Sequence, residues 1–295
     1  MIAVSDTHRI GVMSAENAPA AFCGDGDTVL FETRDCSDGA VARDGSRDRT
    51  PGKYIANPAT GPLYVRGAVP GDTLKVEILK IECAPWGFMG TGFGNNYMKN
   101  IPGERKIRTF DIADGTVKLG GHAFPVSPMI GVIGVAPAGA GIDTETPDAH
   151  GGNMDCTLIR EGAEVYFPVN TPGALLAMGD LHAAMGDGEV CWYGLEVAGK
   201  VTARVSIVHG VKTETPAVID RNRFAVIASA PTLDDSTRIA IEQMYKVLTD
   251  CGWDRTEAGY LMSLKCDLTI CQCVDPNMTV RAEIPAELLR PRKGE

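Results

Sequence analysis

Thr73-Leu74-Lys75-Val76-Glu77-Ile78-Leu79-Lys80-Ile81-Glu82 alternates apolar and charged side chains. A period of two gives a β-strand one dry face and one wet face. Leu74, Val76 and Ile78 share the inner face. The same phase puts Lys80 with them and Lys75, Glu77 and Leu79 outside. Pro70-Gly71-Asp72 is the turn that feeds the strand.

Working outward, the same texture recurs. Residues 28–36 follow a Gly-Asp turn and are β-prone, and 129–136 are almost all apolar, as in a strand buried on both faces. Residues 164–169 and 174–178 read as two further strands, with Asp180 and His182 in the loop that follows. Residues 197–207 read as one strand with Val197, Val201, Val205 and Ile207 inward and Glu196, Lys200, Thr202, Arg204 and Ser206 on the opposite face. Residues 224–230, 268–274 and 279–284 are extended as well.

Between these last strands the period changes. Asp234-Asp235-Ser236 caps a run in which Ile239, Ile241, Met244, Val247 and Leu248 form an apolar stripe, and 256–264 make a second short helix. The chain is therefore read as mainly β with a small helical element near its C-terminus, about residues 235–265. With no internal repeat or separating linker, residues 1–295 are expected to form a single domain. Residues 37–61 are a long loop, either a solvated segment or a lid or interface segment whose Arg47, Arg49 and Lys53 would meet a neighbouring subunit's acids. The Gly/aromatic stretch 84–97 reads either as the wall or rim of a small pocket or as a buried loop between strands.

The composition is that of a globular protein, 44% hydrophobic and 22% charged. A formal charge of −10 argues against a nucleic-acid partner, whose backbone attracts basic surfaces. No apolar run is long enough to span a membrane, and the N-terminus lacks the pattern of a secretory signal. Nine irregularly spaced cysteines fit free thiols in a reducing cytoplasm. Cys271-Gln272-Cys273, the tightest pair, lacks a second pair and reads as buried strand rather than zinc finger.

Two clusters carry the chemistry. Residues 179–196 pack Asp180, His182, Asp187, Glu189 and Glu196 among small and apolar residues, with no Lys or Arg between them. His150-Gly151-Gly152-Asn153-Met154-Asp155-Cys156 is the second. His150, Asp155, Asp180, His182, Asp187 and Glu189 form a mixed nitrogen and oxygen donor set. Such a set suits zinc or another divalent transition metal, with calcium or magnesium at an all-oxygen neighbour. The competing reading is loop acids beside a core histidine. Glu32 ends a strand beside Arg34 and reads as a paired surface acid or as a carboxylate delivered to a site. Cys156 would need a histidine and an orienting group to act as a nucleophile.

Gly151-Gly152-Asn153-Met154-Asp155 followed by Gly179-Asp180-Leu181-His182-Ala183-Ala184-Met185-Gly186-Asp187-Gly188-Glu189 resembles the acetamidase/formamidase family. So do Val197-Ala198-Gly199-Lys200-Val201, Pro70-Gly71-Asp72, Gly134-Val135-Ala136-Pro137, and Gln272-Cys273-Val274-Asp275-Pro276 with Thr279-Val280-Arg281. The resemblance runs from about residue 20 to 285.

It implies a β-sandwich-like core, a homo-oligomer, and hydrolysis of short linear amides with Zn2+ and Ca2+ as the associated metals. It makes Asp155 and His182 the first metal ligands, with Asp180 next and His150 a further candidate. Glu189 or Glu32 is the expected proton carrier, and Asn153 or a backbone N–H the expected holder of the oxyanion. The alternative function is a non-catalytic, calcium-stabilised β-sandwich that binds a small ligand or a partner.

Overall fold

The computed structural model describes residues 1–291. It is mainly β, 40% strand and 12% helix, and its two large sheets face each other as in a sandwich. The first sheet runs, edge to edge, Ile2–Val4, Thr28–Thr33, Gly199–Val208, Thr73–Cys83, Glu164–Pro168, Ala217–Asp220, Arg223–Ala230, Met278–Pro285 and Asp267–Gln272. The second runs Gly151–Asn153, Met129–Gly134, Leu176–His182, Glu196–Val197, Trp86–Met89 and Arg108–Asp111, with Ala59–Val65 paired along Leu176–His182. The main core lies between them. Phe31, Val76 and Val201 of the first sheet meet Ile130, Leu181 and Val197 of the second.

The strand Thr73–Cys83 keeps its expected phase only as far as Ile78. There the register against Gly199–Val208 slips, Ile78 pairing with Ala203 and Lys80 with Thr202. One extra residue flips every later side chain to the other face. Leu79 stays outside as expected, but Lys80 now lies outside with it, paired with Glu82, and Ile81 turns inward.

A second departure positions the site. Residues 197–207 are not one strand. Glu196–Val197 belongs to the second sheet and Gly199–Val208 to the first, so the chain changes sheets at Ala198. Glu196 is thereby buried opposite His182, and not on the outer face with Lys200.

The helices Leu233–Asp250 and Arg255–Lys265 form a satellite core on the first sheet. Ala240, Met244 and Leu248 pack with Ala258 and Leu261 against Val226, Val280 and Ile284. Thr232, rather than Asp234 or its neighbours, caps the first helix, accepting from the Asp235 N–H; Asp254 caps the second. Among the described residues no helix is long and apolar enough to cross a membrane. All nine cysteines are free.

The loop after Thr28–Thr33 is tied down by charge. Asp38 is buried and pairs with Arg9 at 2.6 Å and Arg34 at 3.3 Å, and it accepts from the Ile55 N–H at 3.2 Å. That knot holds Cys36 and Asn57 against the second sheet, where Asn57 donates to Asp180. Removing the acid leaves two partly buried guanidinium groups without their shared partner. Asp38→Ala is expected to lower unfolding stability by about 1–3 kcal/mol in urea titrations, less than a fully buried pair because both arginines reach solvent. Faster proteolytic nicking within residues 34–57 is expected alongside. An unchanged midpoint with an intact loop would contradict the assignment.

Candidate metal centre

The strand Leu176–His182 carries the centre, running through Gly179, Asp180 and His182 instead of ending before them. His182 is 1% exposed. Its Nε2 lies 3.3 Å from Glu196 Oε2, 3.6 Å from Asp180 Oδ1 and 3.7 Å from Asp155 Oδ1. Its Nδ1 lies 3.3 Å from the Met185 sulfur. Asp155, His182 and Glu189 bring donor atoms within 4.8 Å of one another, and so do Cys36, Asp180 and Glu196. Asp275 and Asn153 complete the wall of a cavity of about 140 Å³.

Local backbone geometry aims these groups. Asp155, Asp180 and Glu189 have φ of 46°, 52° and 44°. That is the left-handed region, uncommon for residues with a side chain and characteristic of functional sites. Gly188 anchors the Glu189 turn to the C-terminal strand region. Its N–H donates to Cys271 O and its carbonyl accepts from the Cys273 N–H, which brings Glu189 towards Asp275. Glu189 Oε1 accepts from the Gly194 N–H at 3.0 Å. Two glycines allow close approach. A Cβ on Gly131 would lie 2.6 Å from Asp155 Oδ1, and one on Gly194 would lie 2.4 Å from His182 Nδ1.

The cluster is short of donors. Both oxygens of Asp155, Oδ1 of Asp180, Oε2 of Glu196 and Oδ1 of Asn153 are buried without a hydrogen-bond partner. Burial, with Asp180 adding its charge, pushes Asp155 up to about 6 and Glu196 up to about 8. Glu189 and Asp275 are raised well above the carboxylate range, by burial first and then by Asp155. Burial opposes charge on His182, but Glu196 and Asp180 outweigh it and hold the imidazolium. A divalent cation would satisfy these oxygens and restore them as carboxylates.

The donor separations fit that role. Ligands of one tetrahedral zinc ion lie about 3.3–3.4 Å apart, given bonds of about 2.0–2.1 Å.

The structure gathers Asp155, Asp180, His182, Glu189 and Asn153. It does not bring in Glu32 or His150. On Thr28–Thr33, Val29, Phe31 and Thr33 turn inward, so Glu32 faces out and binds Lys200 at 2.8 Å. The tight turn Asp148–Gly151 keeps His150 with Asp148 and Asp143, where burial lowers its pKa to about 4. Asp187 supports the loop, held by Arg281 at 2.8 and 2.9 Å and by Thr157 at 2.7 Å. Cys156 packs into the core beside Cys271 and does not line the cavity.

Asp275 and Cys36 were missing from the expected set, and Glu196, although counted in the 179–196 cluster, was not among the expected ligands. For Asp275 the quoted Gln272–Pro276 motif was the available signal, and for Glu196 its place among acids without basic partners.

Two outcomes follow from this geometry. In chelated protein, Asp155 and Glu196 keep protons that the unfolded chain releases near 3.8 and 4.5. Their contribution to stability is present at low pH and is lost as pH rises through about 6 and then about 8. Imidazolium formation at His182 acts in the same direction. The unfolding temperature of the metal-free protein should therefore fall from mildly acidic to mildly alkaline pH, and an added divalent ion should flatten the slope. A temperature that rises with pH would sink this electrostatic account. Gly194→Ala, which presses on the His182 ring, should weaken divalent-ion affinity about tenfold or more in calorimetric titration while the far-UV spectrum stays unchanged.

The acetamidase/formamidase family model matches residues 15–144 and 138–290. The structure superposes with TM-score 0.94 on a recombinant predicted acetamidase/formamidase from Thermoanaerobacter tengcongensis, 43% identical, covering 98% of this chain and 96% of that one. For an acetamidase from Bacillus halodurans the TM-score is 0.92 at 40% identity, covering 97% and 98%. A formamidase of Methylophilus methylotrophus is 26% identical over 252 residues, 63% of this chain and 61% of that protein. The chain spans less than two thirds of the length of the curated relatives it matches.

Proposed function

The chain belongs to the acetamidase/formamidase family, and we propose that it hydrolyses the C–N bond of a short linear amide to ammonia and a carboxylate, with a divalent metal ion. The observation that carries this reading is the buried convergence of His182, Asp180, Glu189 and Glu196 around one small cavity, with Asp155 beside His182 and unpartnered oxygens on Asp155, Asp180 and Glu196. His182, Asp155 and Asp180 would hold the ion, with Glu196 and the Cys36 sulfur grouped beside them and Glu189 left to carry a proton. A set containing imidazole and sulfur favours zinc over calcium. When bound, the ion supplies a Lewis acid for the carbonyl and a water acidified towards a pKa of about 7.

The protein's own groups supply the rest. The cavity, about 140 Å³, has room for a handful of non-hydrogen atoms, which selects a small acyl group. Asn153 donates one N–H to Asp275 Oδ2 at 3.0 Å, which fixes its amide plane and leaves the second N–H for the substrate's developing oxyanion. Asn57, held by Asp180, lines the same wall. Expulsion of ammonia requires a proton on nitrogen. Glu189 is the carrier: its carboxyl is buried, holds a proton readily, and is oriented by the Gly194 N–H. Glu32, bound to Lys200 outside the cavity, has no part in this arrangement.

Ammonia release from formamide, acetamide and propionamide is the direct measurement. Chelation should abolish it and zinc restore it. Asp155→Ala and His182→Ala should lose bound metal and activity together, and metal retained in both would overturn the ligand assignment. Glu189→Gln should reduce kcat by about 10²–10⁴ while KM changes little, as for loss of a proton donor. If no amide of the panel releases ammonia with metal restored, the amidase reading fails for short amides.

A further inference from the structure

The acidic cavity opens onto a much larger space. Arg47, Trp192 and Tyr193 line both the inner cavity and an outer vestibule of about 610 Å³. A one- or two-carbon amide does not need that room. The vestibule wall carries Arg47, Arg49, Arg105 and Lys106 and no acidic residue. In a chain of formal charge −10, such a concentration of cations at the door of a carboxylate cluster is a specific arrangement.

These cations are free to take a ligand. Basic residues nearby on the same loop are already neutralised, Arg43 by Asp111 and Lys53 by Asp48. Among the described residues Arg49 and Lys106 make no ion pair. Arg105 is held in place by the Phe93 carbonyl and the Asn95 side chain, neither of which cancels its charge. Arg47 and Tyr193 stand together at the junction of the two spaces.

The two compartments thus have opposite preferences. The inner one repels an anion and the outer one attracts it, so a molecule with an amide at one end and a carboxylate at the other can enter in one orientation only.

We propose that the vestibule is the subsite for an anionic group of the substrate, and that the preferred substrate class is a primary amide carrying a carboxylate, such as the monoamide of a short dicarboxylic acid. The proposal rests on the amidase reading above. The reaction remains a hydrolysis: water adds to the amide carbon, the C–N bond breaks, and the products are ammonium and a dicarboxylate. Selection comes from charge in a half-open space and therefore weakens with salt.

The test compares succinamate with butyramide, its neutral counterpart of similar length, and with acetamide. Enzyme and the Arg49→Gln/Lys106→Gln double variant, changed only in the outer vestibule, are assayed by ammonia release. Succinamate should exceed butyramide in kcat/KM by about tenfold or more at low ionic strength, two exposed charges each contributing several-fold. The advantage should shrink at high salt. The double variant should lose it through KM, with acetamide turnover unchanged. Equal use of succinamate and butyramide, or an equal loss for all three amides in the variant, overturns the proposal.

Calorimetric titration of succinamate into metal-loaded Glu189→Gln protein separates this from failure of the amidase reading. Binding that disappears on adding the two vestibule substitutions supports the subsite even if no amide is turned over. No binding of succinamate overturns it.

Discussion

One imidazole surrounded by buried carboxyl groups is the constraint on which the rest of the structure depends. His182 faces Asp155, Asp180 and Glu196 at 3.3–3.7 Å, with Glu189 and Asp275 behind. Acids taken out of water must be protonated, paired or bound to a cation. The imidazole supplies one positive charge for several acids, and the inward oxygens have no N–H or O–H to accept. A divalent ion, as proposed above, would close this charge balance, and the packed sandwich holds the like charges together. The left-handed backbone at Asp155, Asp180 and Glu189 belongs to the same problem: residues from three segments must converge on a point that regular strand geometry would not reach.

The supporting interactions are placed where that convergence needs them. Arg281 grips Asp187 through two nitrogens and fixes the turn from which Glu189 projects. Such a fork fixes direction as well as distance. Arg9 and Arg34 do the same for Asp38 and hence for the segment carrying Cys36 and Asn57. In both cases arginine neutralises an acid adjoining the cluster without entering it, which keeps positive charge away from the buried carboxyl oxygens.

What was legible in the sequence divides along physical lines. Strands with an uninterrupted period, such as Met129–Gly134 and Glu164–Pro168, were readable because burial of one or both faces leaves its pattern in composition. The helical element was readable from its period, although Thr232 took the cap expected of Asp234-Asp235-Ser236. A slip at Leu79 and a change of sheet at Ala198 were not readable, since each is decided by pairing with a distant strand and leaves no local mark. The second of these hid Glu196, whose phase put it beside Lys200. Local spacing found Asp180, His182 and Glu189, and resemblance raised Asp155 among them. Neither could separate Glu32 from the cluster, because an acid at a strand end looks the same whether it faces a lysine or a cavity.

The opposed charges of cavity and vestibule connect the metal-site argument to selectivity. Beyond the buried cluster, the cavity wall also carries Glu145 and Asp275. A small neutral amide enters against no electrostatic barrier and also finds nothing to hold it. Affinity for such a substrate must come from the reacting group alone, and that limits binding to what a few atoms can contribute. Arg47 and Tyr193 stand where the field changes sign. A substrate long enough to cross that boundary gains a second contact that does not react, and such remote contacts hold the amide in place against the proton carrier. The long loop bearing Arg47 and Arg49 thus forms part of the vestibule wall, where the sequence left it either solvated or at an interface.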